Sequence, residues 1–181
     1  MAMRTPPLYL QAGSHSAEND RLGIQGIIGT QGVGGGSGEM QVTQAGTPAM
    51  TVLVAAGWAW VLGTTSATQG MYSTYNDASV TLTVTSANPS LARIDRVCVT
   101  IRDAAYSGAS NDVILQVVAG TAAASPSAPA TPASSLSLAT IAVAAGATSI
   151  TNANITDTRA RAAVALSSSG ADFNAFLLMG A

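Results

Sequence analysis

The chain has 181 residues, 9% of them charged, 48% hydrophobic and 4% aromatic, with seven arginines, no lysine and a formal net charge of −2. That length suits one domain with extensions, and so little charge, against about 25% in ordinary soluble chains, speaks against a phosphate-neutralising nucleic-acid binder and for a permanent oligomer. The single cysteine, Cys98, rules out an internal disulfide and, between Val97 and Val99, reads as a small buried hydrophobe.

The N-terminal stretch MAMRTPPLYLQAG has one Arg and an early Pro6-Pro7 pair but no continuous apolar run, so it does not read as a secretion signal. Met50 to Leu62 is too short to span a bilayer, so synthesis in the cytoplasm without membrane insertion is expected. Residues 1–38 read as an extended Gly-rich arm and joint whose charged cluster is His15, Glu18, Asp20 and Arg21. Within it, ENDRLGIQGIIG predicts a weak helix capped by Asn19 or Asp20, with Leu22, Ile27 and Ile28 roughly on one face. Glycines at every third position from Gly23 to Gly38 match the collagen period, but no proline occupies the intervening positions, and a flexible joint is the preferred reading.

Residues 39–158 carry the signals of an all-β domain. Met40 to Gln44 and Met50 to Ala55 flank the Gly46-Thr47-Pro48 turn, and Trp58 to Leu62 follows Gly57. Met71 to Tyr75 and Ser79 to Thr85 flank a turn at Asn76-Asp77. Arg93 to Arg102 and Val113 to Val118 form the clearest hairpin, with Val97, Val99 and Ile101 on one face and Val113, Leu115 and Val117 likewise. Pro126, Pro129 and Pro132 make 121–135 an extended crossover; Leu136 to Val143 and Ile150 to Ile155 resume the strand pattern. Short strands at this spacing predict a β-sandwich or jelly-roll-like domain. Residues 159–181 form a short tail whose end, FNAFLLMGA, needs cover from its own domain or a neighbour.

Residue types that carry chemistry are few. His15, Glu18 and Asp20 are metal-ligand types, but their spacing matches no established site, so neither a metal nor a cofactor is predicted, and they are assigned with Arg21 to subunit contacts. One histidine and no serine in a nucleophile-elbow context argue against hydrolase chemistry. Asp103 and Asp112 read as turn formers flanking a loop, and Gly34 to Gly38 lacks the lysine of a phosphate-binding loop; no catalytic residue is assigned. Arg93, Arg96 and Arg102, interleaved with Asp95 and Asp103, read as solvated or paired sheet-edge charges. Trp58 and Trp60 share one face of a strand and are expected in the core; exposed instead, they would form a sugar-stacking platform with Tyr72, Tyr75 or Tyr106.

The stretches GTPAMTVLVAAGWAW, YNDASVTLTVT, ARIDRVCVTIRDAAYSGASNDVILQVVAGTAAASPSAPATP and SLATIAVAAGATSITNANITDTR, with the opening LYLQAGSHSAENDRL, resemble minor tail, upper-baseplate and fibre-like virion proteins of siphophages infecting actinobacteria. The resemblance implies a non-enzymatic structural module, a homotrimer in contact with other virion proteins. It would build a tail tip or baseplate through oligomerisation and arm contacts. Two further readings are a carbohydrate-binding module for a host cell-wall glycan and a capsid decoration or head-fibre protein. The chain stops soon after Thr158, where receptor-binding members continue into a fibre or lectin-like domain.

Overall fold

In the computed structural model, which describes residues 14 and 16–165, the chain enters through helix α1 (Ala17–Ile27) and two short strands, β1 (Ile28–Thr30) and β2 (Gly32–Val33). Then come β3 (Val42–Gln44), β4 (Thr51–Val54), β5 (Gly57–Leu62), β6 (Met71–Asn76) and β7 (Val80–Thr83). The second half holds β8 (Arg93–Arg102), β9 (Asp112–Val118), β10 (Ser135–Val143), a 3-10 turn (Asn152–Asn154), β11 (Ile155–Asp157) and β12 (Ala163–Val164). Among the described residues the fold is therefore mostly β, with one short helix and four small antiparallel sheets that do not close into a barrel. Their strand orders are β1-β12, β11-β10-β8-β9, β2-β5-β6 and β3-β4-β7.

The helix starts where a serine can cap it. Ser16, extended at φ −77° and ψ 146°, accepts a hydrogen bond from the Asn19 amide at 3.2 Å, so the cap lies upstream of the expected Asn19 or Asp20. The last turn gives way at Ile28, which leads directly into β1. Gly70 makes room for α1: it sits at φ +77°, and a Cβ there would strike the backbone of Arg21 and Leu22.

Strands β4 to β7 behave as one long hairpin bent at mid-height. β4 pairs with β7 through Val54 opposite Val80, while β5 pairs with β6 through Gly57 opposite Asn76, so the arms pass from one sheet to another at the same level. The amide of the Asn76 side chain donates to the Ala55 carbonyl at 2.9 Å and ties the corner. Only glycine fits at position 57, because a Cβ would run into the Met40 amide and the Glu39 side chain. The turn expected at Asn76-Asp77 thus joins strands of two different sheets.

The hairpin expected between β8 and β9 is present, with Val97 opposite Val117, Val99 opposite Leu115 and Ile101 opposite Val113. The proline-rich segment that follows contains no strand and delivers the chain to β10, which pairs with the other side of β8. Flanked on both sides, β8 is a central strand. Its Arg93 is accordingly buried; of the expected solvated or paired sheet-edge charges, the pairing holds there and the edge position does not. The Arg93 Nε donates to Asp95 Oδ1 at 2.8 Å, and its other nitrogens donate to the carbonyls of Ser86 and Thr85. The last expected strand is corrected too: 152–154 form a 3-10 turn, and only Ile155–Asp157 pairs with β10.

One hydrophobic cluster gathers Val33, Val54, Val61, Val97, Leu138 and Ile141, each fully buried. Burying such a side chain contributes about 1.5–3 kcal/mol, and the cluster draws on the first strands as well as the last. Val33, which lies before the boundary expected at residue 38, belongs to this cluster. The glycine-rich stretch read as a flexible joint is held in place: the Arg161 guanidinium donates to the carbonyls of Gly34 and Gly36, and that of Arg159 to the Glu39 carbonyl. The beginning of the tail thus packs on its own chain, as does β12 against β1. FNAFLLMGA lies outside the described residues.

Candidate functional site

Alternation along β5 decides the site. Gly57, Ala59 and Val61 turn inward and are buried, so Trp58 and Trp60 must turn outward. Trp58 is 45% exposed, which overturns the expectation that it fills the core; Trp60 is half-buried. The physical reason is volume: Ala59 and Val61 join the close-packed cluster in which β8 and β10 pack on β5, with Val97 and Leu138 among its members, and two small residues fit there where indoles would overpack.

Across the strand pair, Tyr75 of β6 stands opposite Trp58 and is 51% exposed. The Trp58 and Tyr75 ring centres are 4.6 Å apart with planes inclined at 36°, and Trp60 lies nearly parallel to Trp58 at 6.4 Å. Three aromatic rings thus form a continuous row, exposed at Trp58 and Tyr75 and half-buried at Trp60. Beneath it, Glu39 Oε2 accepts the Trp58 amide hydrogen at 2.6 Å, holding the start of β5 against the glycine-rich loop.

Tyr72 and Tyr106 do not join this row. Tyr72 is three residues before Tyr75, an odd offset that sends it to the opposite face of β6. There it meets α1: the Arg21 guanidinium carbon lies 4.8 Å from the Tyr72 ring centre and 5.3 Å from that of Tyr106. Arg21 Nε donates to the Gln69 carbonyl at 2.7 Å, and Nη2 donates to the Tyr106 hydroxyl at 2.8 Å. The Tyr72 hydroxyl donates to Asp103 Oδ2 at 2.7 Å, and Asp103 stands 3.8 Å from Arg21 Nη1. Burial, and then the hydrogen bond to Asp103, push the Tyr72 phenol up to about 12. The arrangement is a latch holding the helix to the strands.

Of the other residues singled out in the arm, Asp20 is exposed, Glu18 is half-buried on α1, and His15 lies outside the described residues. Asp103 and Asp112 have separate partners: Asp112 forms a forked pair with Arg102 at 2.6 and 2.5 Å, which holds its carboxyl below the usual range. Cys98 is fully buried, and burial pushes its thiol up to about 11. Among the described residues no group of three or more His, Cys, Asp or Glu side chains is placed to hold a metal ion.

Gln69 and Glu39 escaped sequence reasoning. Gln69 is 48 residues from Arg21, and Glu39 is 19 residues from Trp58, so no local spacing signals either contact. What the surface offers chemically is flat apolar ring area beside backbone and hydroxyl groups. Compared with known proteins, the chain matches no family model, no curated protein and no solved structure.

Proposed function

We propose that this protein is a non-enzymatic virion structural protein of a tailed bacteriophage, a β-sandwich module that oligomerises to build the tail tip or baseplate. The observation that supports the reading is the exposed row of Trp58, Trp60 and Tyr75 on a chain with only 9% charged residues. Aromatic side chains are favoured at the centres of protein interfaces, and leaving such area in water is costly. Because Arg21 is engaged with Tyr72 and Tyr106 of its own chain, the assembly contact is assigned to the aromatic row and neighbouring strands. Immunogold labelling of purified particles tests the role. Label at the tail tip is expected, and particles that carry none of the protein would refute it.

The same row favours a second reading, attachment to a host cell-wall glycan, since sugar rings stack on flat aromatic faces. Trp58→Ala separates the two. Loss of the oligomer in native mass spectrometry supports assembly, whereas an intact oligomer that no longer sediments with purified cell walls supports attachment.

A further inference from the structure

Strand β9 is the longest of the strands that end a sheet among the described residues, seven residues from Asp112 to Val118 with β8 on one side and no strand on the other. An edge strand presents unpaired N–H and C=O groups that can take up a further strand, and folds guard such edges with charge, proline, bulges or brevity. Beyond Asp112, β9 carries none of these guards. Val113 to Val118, VILQVV, has no charge and no proline. Its register against β8 runs unbroken from Arg102 opposite Asp112 to Arg96 opposite Val118, so no bulge turns the edge aside. Its one polar side chain, Gln116, donates back to Thr100 Oγ1 of its own sheet at 2.7 Å. The space beside the strand is open as well: two hollows of about 270 and 330 Å³ have Val113 in their walls, and that side chain is 43% exposed.

We propose that this edge receives β9 of a second copy of the chain, antiparallel about a two-fold axis, so that two four-stranded sheets become one of eight strands. The strand's own charge pattern chooses both the occupant and the register. Asp112 is the only charge of β9, so a parallel pair in register would set two carboxylates side by side, whereas the antiparallel pair holds them about 20 Å apart. Each Asp112 is moreover neutralised within its own chain by the forked pair with Arg102. Antiparallel pairing centred on Leu115 is the one register that engages all seven residues, with Leu115 opposite Leu115 of the copy and Val113 opposite Val117 of the copy. Residues of equal parity then stand opposite each other, so the face on which Leu115 and Val117 meet Val99 and Val97 continues across the join. Val113 gains in that register the cover that its own chain does not give. A strand paired with its own copy makes an isologous contact, which closes at two chains.

The proposal rests on β9 alone and holds with or without a virion role or a contact through the aromatic row. Native mass spectrometry and oxidative cross-linking of the full-length protein test it. A dimer is expected at micromolar concentration, and Val113→Lys is expected to weaken it at least tenfold while leaving the melting temperature unchanged, since that side chain stands at the surface. Leu115→Cys is expected to give a disulfide-linked dimer under mild oxidation, because directly opposed Cα atoms lie about 4.5–5.5 Å apart, within disulfide reach. Cys98 is buried and takes no part. Val113→Cys is expected to give no such link, its two copies lying about 14 Å apart along the paired strands. The Leu115→Cys link is expected in the Trp58→Ala background too, where loss of larger assemblies bears on the aromatic row and not on this pair. A monomer at that concentration, including one whose 113–117 amides are shielded by its own chain, overturns the proposal. So does a dimer that Val113→Lys leaves as tight, or cross-linking at 113 equal to that at 115.

Discussion

Arg21 sits over the ring of Tyr72, the guanidinium carbon 4.8 Å from the ring centre, and through this contact α1 is fastened to β6. The cation over the ring, together with charge-assisted hydrogen bonds to the Gln69 carbonyl and the Tyr106 hydroxyl, makes the helix part of the body. Arg21→Ala should lower stability by about 2–3 kcal/mol in denaturant titration. Amides of α1 should lose protection while those of β8 and β10 keep it. Arg21→Lys should recover little, since an ammonium cannot reproduce the flat fork.

Trp58→Ala should be mild for a tryptophan. With the ring 45% exposed, its removal leaves no enclosed cavity, and a loss below about 1.5 kcal/mol is expected, mostly from the contacts with Tyr75 and Trp60. Ile141→Ala, at a fully buried position, should cost about 2–5 kcal/mol. Thermal melts of the two variants side by side check the order, and a reversed order would put Trp58 back in the core.

Asp95→Ala should be among the most damaging single changes. Asp95 is fully buried, accepts hydrogen bonds from Arg93 Nε and the Gly120 amide, and has a second oxygen without a partner among the described residues. Its loss strands a buried guanidinium, at a cost of about 3–5 kcal/mol. The double variant Arg93→Met/Asp95→Leu should lose less than the sum of the single changes, which a double-mutant cycle in urea measures.

Alkali should unfold the protein through two neutral groups. Tyr72 is pushed up to about 12 by burial and by donating to Asp103, and Cys98 to about 11 by burial. Both are neutral in the fold at pH values where the unfolded chain ionises, so their contribution is complete below pH 9.0 and is lost as pH rises through about 12. Melting temperature followed across that window should fall. Tyr72→Phe and Cys98→Ala should each flatten the fall, and a profile that neither variant changes would contradict this account.

The strands were legible because each carries its own period. From β3 to β10 the β-branched alternation and the Gly, Pro and Asn breaks locate the elements within a few residues, and Arg93–Arg102 is matched end to end. The hairpin of β8 and β9 was legible for the same reason: its two apolar faces agree in parity. The described part of the arm, 16–38, was read as looser than it is because its glycines dilute every local pattern. The forces that order it lie far away in the chain, in Arg159 and Arg161 on the 34–39 carbonyls and in Tyr72 and Tyr106 around Arg21.

By itself, then, the sequence determined the β character, the strand positions and the β8–β9 hairpin, all of which follow from local alternation and turn chemistry. Tertiary structure alone decided which face of β5 is the inside, which strands share a sheet, and where Arg93 and Arg21 find their partners. Parity says that Trp58 and Trp60 point the same way, but not which way. That choice belongs to the volume behind the strand, which is set by elements from other parts of the chain, β8 and β10, and admits Ala59 and Val61 but not two indoles.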